Sequence, residues 1–460
     1  MTRAIQVADV AMPPLEVPNE LPAITGDEFE ARITALLGAV DVDQVVVYGD
    51  REHAANLIFL CNLDPRFEEV LLVLGPGRRT LLLGKEDIGY VPVVPIDVGT
   101  ILVPSLSLMG IDRSGGPTVE QALREAGLGD GDRIGVVGWK ALLPEESTLA
   151  VSPIYAPAFI VDTLRQIAGS PDLVVDVTPA LTSSRDGLRT FNSADQIAVF
   201  EWGASRSSAY VMAVLGAARP GVSERDVFHA VPWGGEPLAY HPVLASGPDV
   251  AVGLRSPSSR RFELGDAAIV GIGLWGGNTA RGGLVATSES DLRAESAGYL
   301  KRLAFPYWRA IAAWYEALAL GTSGGEIFRE ITELLVGEVF SSSLNPGHLI
   351  HYDEWLDSPI RAGSDDPIAS GMVVQSDIIP TGIGPGWTVN CEDTVAVADA
   401  TLRAEIAERH PELWSRVSAR RAYVKDQLGI ALADEVLPLS CTCAYLPPFW
   451  LDLDRALAFG

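Results

Sequence analysis

Residues 262–286 read FELGDAAIVGIGLWGGNTARGGLVA, and the reading of this stretch decides that of the chain. Gly265-Asp266 is a turn signal that launches a short apolar strand, Ala267–Ile272. Gly273, Gly276 and Gly277 make a tight connection, and Thr279–Ala286 returns as a second strand. Gly271 and Gly282 lie eleven residues apart across this hairpin, a separation that turns both positions toward one cavity. Side chains are missing where such a hairpin would present them.

Outward from the hairpin, the chain reads as helices and strands in alternation. Upstream, Ser193 is a helix N-cap for a pattern running to about Ala218, which Pro220-Gly221 ends. Further helical patterns cover Ser288–Leu320, Gly325 to about Val339, and Leu402–Leu428, with strand-and-turn material at Tyr240–Leu254 and Gly371–Ala400. Before residue 180, strand signals at Gln44–Tyr48, Leu57–Leu60, Val70–Leu74, Arg79–Leu83, Arg133–Val137 and Leu173–Val175 alternate with helices at Asp27–Ala39, Thr118–Ala126 and Ala158–Ile167. This pattern predicts an α/β domain. The expected division is an extended arm (1–24), an N-terminal α/β domain (25–184), a second domain (185–400) and a C-terminal helical extension (401–460).

At 460 residues, 48% hydrophobic and 20% charged, the chain has the composition of a folded globular protein with a large core. Its formal charge of −26 repels phosphate backbones and anionic lipid, so neither nucleic acid nor a membrane surface is an expected partner. Cys61, Cys391, Cys441 and Cys443 are too scattered for a disulfide framework, and the Cys441-Thr442-Cys443 pair lacks a second pair at ligand spacing. No run has bilayer-spanning length and the N-terminus carries no sustained apolar segment, which makes the cytoplasm the expected compartment.

Several short motifs then fall in order. They are Asn56–Leu63 followed by Asp64-Pro65, Ala218-Arg219-Pro220-Gly221-Val222-Ser223-Glu224, Gly347-His348, Gly371-Met372-Val373 and Glu392-Asp393-Thr394-Val395. Together they resemble the creatinase and Xaa-Pro aminopeptidase family, the pita-bread metallopeptidases. The resemblance implies a two-domain α/β (α+β) creatinase-like fold, with a pita-bread domain second, and a homodimer. In active members the hairpin supplies two aspartates eleven residues apart, and a later His and two Glu complete a site for two divalent cations. Two hard cations at close range need bridging carboxylates to neutralise their charge. Here the aspartate positions fall on Gly271 and Gly282, and glycine donates no ligand.

The positions that survive are His348, Asp377 (Glu in the family) and Glu392. They imply a metal-free pocket, or at most one divalent cation held by these three. Creatinase is the metal-free precedent, but the histidine it would use falls on Gly253 or Leu254. Among the other histidines, His241 stands closest upstream of Ser246-Gly247 and is a candidate replacement base, while His351 is a candidate to fill space vacated by metal. Arg281, beside Gly282, is a candidate to hold a substrate carboxylate as a fixed cation. Burial without a cation raises the Glu392 pKa unless His348 is protonated nearby. A carboxylate–imidazole pair of that kind is an acid–base couple near neutral pH.

Three functions stay open on these residues. One is a metal-independent hydrolase or lyase that cleaves a C–N or related bond of a small polar substrate through His348, Glu392, Asp377 and His241. Another is a non-catalytic relative that binds a small molecule, peptide or protein. The third is a Xaa-Pro-type peptidase with an altered mononuclear metal site.

Overall fold

The computed structural model describes residues 3–460, which fall into two compact units: Ile24–Thr190, and Phe191–Gly460 together with the residues up to Ala23. The boundary lies a few residues beyond the expected one. Both the N-terminal arm and the C-terminal extension are parts of the larger unit.

The smaller unit is a six-stranded mixed sheet in the order 99–102, 78–83, 70–75, 44–49, 134–137, 174–176. Gln44–Gly49 pairs antiparallel with Val70–Gly75 and parallel with Ile134–Val137. One expectation fails here. Leu57–Leu60 lies within a helix, Ala55–Cys61, whose seven residues are all buried. A short apolar run carries no period that separates a strand from a buried helix, and this one is enclosed on every side.

In the larger unit, strand β1 (Ile5–Asp9) is the arm. The main sheet contains β2 (Val243–Ser246), β3 (Ala267–Leu274), β4 (Gly277–Leu284), β5 (His348–Leu349), β6 (Val373–Ser376), β7 (Asn390–Val397) and β8 (Val436–Pro438). Their order is β5-β6-β7-β4-β3-β2, with β8 also paired to β7, and every pairing is antiparallel. Strand β9 (Arg455–Phe459) pairs antiparallel with β1.

The helix Ala194–Ala217 starts where its sequence predicts, with the Ser193 hydroxyl accepting from the Gln196 N–H at 3.1 Å. It lies close against the hairpin turn. A Cβ on Gly203 would stand 2.1 Å from the Trp275 carbonyl oxygen, and one on Gly277 2.2 Å from the Ala204 nitrogen. The helical block expected over 288–320 is shorter than its pattern. Residues 289–296 form 3₁₀ turns, and regular helix spans Phe305–Ala317 after a π turn. The block expected over 402–428 divides at His410, where Pro411 opens a second helix, Pro411–Ala422.

Candidate active site

The hairpin strands are two residues longer at the turn end than the first strand was read, and the turn is Trp275-Gly276. Register then fixes which residues meet. His348 stands opposite Gln375, Gln375 opposite Thr394, Glu392 opposite Ala280, and Ala280 opposite Gly271. Side chains alternate along a strand and directly paired residues share a side, so these residues and Asn278 lie on one face. Asp377, two residues past Gln375, continues it.

On that face four ionisable groups converge. His348 is fully buried, and its Nδ1 lies 3.1 Å from the Leu349 carbonyl oxygen. That contact assigns the proton of the neutral ring to Nδ1 and turns Nε2 toward the acids. Nε2 lies 3.3 Å from Glu354 Oε1 and 3.9 Å from Asp377 Oδ2. The Trp355 indole stacks on the imidazole, with ring centres 4.0 Å apart and planes at 15°. Glu392 Oε1 accepts from Asn278 Nδ2 at 2.7 Å and from Gln375 Nε2 at 3.2 Å. The Tyr240 hydroxyl donates to Asn278 Oδ1 at 2.7 Å. Donor atoms of His348, Glu354 and Glu392 all fall within 4.8 Å of one another. Asp377 Oδ1 is buried without a hydrogen bond.

Crowding acids away from water sets their charge. Burial, with the Glu354 carboxylate beside it, pushes Asp377 up to about 8. Burial also pushes Glu392 well above the usual carboxylate range; Asp377 and Glu354 add to the rise, and His348 and Gln375 oppose it. For His348 burial pulls the pKa down, but the Glu354 and Glu392 carboxylates and the Leu349 carbonyl together outweigh it and the net shift is upward. The cluster therefore lacks positive charge, and protons or a cation must supply it.

This gives a pH dependence with a definite sign. In chelator-treated protein Asp377 binds a proton in the folded state and has lost it in the unfolded state, between its ordinary pKa and about 8. Stability falls as pH rises through that window, by up to about 1.4 kcal/mol per pH unit for one proton. Denaturant midpoints at pH 5, 6, 7 and 8 are expected to decline in wild type and to decline less in Asp377→Asn. Parallel slopes would remove Asp377 as the proton's holder.

The other sequence candidates are placed as follows. Gly271 and Gly282 share the site face, but Gly282 is opposite Ile269, not Gly271. Neither opens a cavity. A Cβ on Gly271 would lie 2.9 Å from the Tyr240 hydroxyl, and one on Gly282 2.7 Å from the Asn390 nitrogen. Neighbouring groups occupy the space that the missing side chains were expected to leave. Arg281 points to the reverse face, where it is buried against Asp393 with both carboxylate oxygens within 3.0 Å of Nη2. Strand alternation dictates this, because Arg281 is one residue from Ala280 and Asp393 one from Glu392. His351 is buried edge-on to Phe200 and Tyr352, and its carbonyl accepts from Gly276 N at 2.6 Å, so it packs the hairpin turn. His241 is exposed, and its neighbour Tyr240 is the residue that enters the cluster.

Sequence reasoning missed Glu354, Tyr240, Asn278 and Gln375. A signal existed for Glu354, since Tyr352-Asp353-Glu354-Trp355 is an acidic and aromatic run just beyond His348. For the others the signal was only the strand period, which carries Gln375 and Asn278 to the face of Glu392.

No family model matches the sequence, and no curated protein matches it. Solved structures do match. The prolidase from Thermococcus sibiricus superposes with a TM-score of 0.63 at 17% identity, over 82% of this chain and 95% of that one. The X-Pro aminopeptidase from Thermotoga maritima gives 0.60 at 14%, over 81% and 95%. The Xaa-Pro dipeptidase from Bacillus anthracis gives 0.58 at 15%, over 81% and 96%. The chain thus has the two-domain pita-bread fold of the Xaa-Pro peptidases, as its motifs implied. Among the described residues no helix is long and apolar enough to cross a membrane.

The cluster does not fit a pair of cations, because the hairpin contributes no carboxylate. It does fit one. An imidazole nitrogen and two carboxylates within reach of a common point, with Asp377 Oδ1 buried beside them without a hydrogen bond, are the donor set of a single divalent ion. Glu354 replaces Asp377 in the trio expected from sequence.

Proposed function

We propose that this protein is a one-cation hydrolase of short peptides or small amides, with His348, Glu354 and Glu392 as ligands. The observation that carries the reading is the convergence of their donor atoms within 4.8 Å, in a buried cluster short of positive charge. A bound divalent cation would supply Lewis-acid polarisation of the scissile carbonyl and a lowered pKa for water. The chain's own groups do the rest. His348 Nδ1 is tied to the Leu349 carbonyl, which keeps Nε2 aimed into the cluster. Asn278 and Gln375 hold one Glu392 oxygen and leave the other to act. Asp377, with Oδ2 3.9 Å from His348 Nε2, lies beside the cluster, placed to exchange a proton with a leaving nitrogen. Trp355, partly exposed over His348, is the apolar wall at which a substrate arrives.

A second reading rests on the same raised acids. Protons alone neutralise the cluster, and Asp377 and Glu392 act as acids beside His348 without metal. Plasma mass spectrometry of protein never exposed to chelator separates the two. The one-cation reading expects about one transition-metal equivalent per chain, lost in Glu354→Gln. Less than about a tenth of an equivalent, with no uptake on adding Co²⁺ or Mn²⁺, would leave the proton reading.

A further inference from the structure

We infer that Tyr240 stands in for the second cation: its ring seals the hairpin half of the cluster, and its hydroxyl, through Asn278, secures the Glu392 oxygen that a second ion would have held. The inference rests on the one-cation reading for its count of ions, but its geometry is independent of that reading.

The ring lies on two hairpin glycines. A Cβ on Gly273 would stand 2.4 Å from Tyr240 Cε1, and one on Gly271 2.9 Å from the Tyr240 hydroxyl. A Cβ at 273 would run into the ring itself, while one at 271 would crowd the hydroxyl tip, which must shift by a few tenths of an ångström to admit it. The glycines at 271 and 273 are therefore the seat of an aromatic side chain rather than empty space. The backbone holds the ring down as well. Ala239 N donates to the Gly273 carbonyl at 2.9 Å, and Leu238 bridges Leu274, so the segment before Tyr240 runs alongside β3.

The hydroxyl completes a chain. It donates to Asn278 Oδ1, which turns the amide so that Nδ2 donates to Glu392 Oε1. Gln375 Nε2 reaches the same oxygen and also the Asn278 carbonyl at 3.1 Å, and Thr394 Oγ1 bonds Gln375 Oε1. Dipoles thus meet the side of Glu392 that faces the hairpin, and only its other side remains for an ion. A polar network with every member satisfied is rigid, so the half-site is closed rather than merely empty.

The test is a Co²⁺ titration by calorimetry, with visible absorption as a check, on wild type, Gly271→Asp, and the double variant Tyr240→Ala/Gly271→Asp. Each protein is first checked for cooperative melting. Wild type is expected to bind one ion per chain, Gly271→Asp to gain none while Tyr240 remains, and the double variant to gain one. Two ions on wild type would overturn the inference. So would a folded double variant whose count equals that of its parent. No ion on wild type would instead defeat the one-cation hydrolase; the inference would then stand if the double variant takes up one ion and fall if it takes up none. Should the alanine variant fail to fold, Tyr240→Val/Gly271→Asp replaces it with the same expectations.

Discussion

Arg281→Met is expected to destabilise the larger unit by about 3–5 kcal/mol, the cost of leaving a buried charge without its partner. The arginine and Asp393 are both almost wholly buried. Every guanidinium nitrogen is used: Nε donates to the Tyr445 carbonyl at 2.7 Å, Nη1 to those of Ala280 and Glu392 at 2.7 and 2.9 Å, and Nη2 to Asp393 and the Thr442 carbonyl. Asp393 accepts further bonds from Thr442 Oγ1 at 3.0 Å and Ala444 N at 3.1 Å. Methionine would leave that carboxylate and four carbonyls facing an apolar chain. Stability of a folded domain is commonly about 5–15 kcal/mol, so such a loss is a large share of it. Arg281→Met/Asp393→Leu removes both charges and is expected to regain much of the deficit, because an apolar pair of similar volume avoids the desolvation penalty. Guanidinium denaturation of the three proteins measures this. An Arg281→Met midpoint close to wild type would mean that the ion pair holds nothing.

The pair also bears on the site. Arg281 and Asp393 alternate with Ala280 and Glu392 along β4 and β7. A slip of one residue would carry Glu392 to the reverse face, and the ion pair, which joins only in the native register, forbids it.

Glu392→Gln is expected to move stability and turnover in opposite directions. The carboxylate is buried among Asp377 and Glu354, and its pKa is raised, so as an anion it works against the fold. The amide keeps its shape and an acceptor for Asn278. In chelator-treated protein at pH 8 the variant is expected to be more stable than wild type, by up to about 2 kcal/mol. Hydrolysis of a dipeptide set is expected to fall by about 10²-fold or more, since the charge that holds an ion or takes a proton is gone. Gain on one axis with loss on the other marks a group kept for chemistry. A variant that is destabilised, with turnover unchanged, would make Glu392 a structural residue and remove it as a ligand or proton acceptor in the reaction.

Much of the fold was legible because its signals are local. Ser193, Pro220-Gly221 and the apolar runs of the smaller unit mark element ends and periods that tertiary packing left in place. The site was legible where motif order carried it, at His348, Asp377 and Glu392, and illegible where strand register decides. A one-dimensional count of eleven residues turned Gly271 and Gly282 toward one side, which the register keeps, but it could not show that a two-residue turn sets Ala280 opposite Gly271. The same register sends Arg281 to the reverse face. Missing side chains were read as empty space, yet a glycine is as often the footprint of a neighbour, and here the neighbour is Tyr240.

The pairing of β1 with β9 has a consequence for how the molecule is made. The arm is synthesised before the 24–190 unit, but the strand that must zip onto it comes only after the rest of the larger unit's strands. Between them lies the complete 24–190 unit, with its own core and a sheet whose strands all come from within it. That unit is free to fold during translation, at the usual elongation pace of about 5–20 residues per second. The larger unit has no such freedom. Its first strand waits, unpaired and in need of protection, until Arg455–Phe459 has emerged, so this pair closes late and brings together two segments far apart in the sequence.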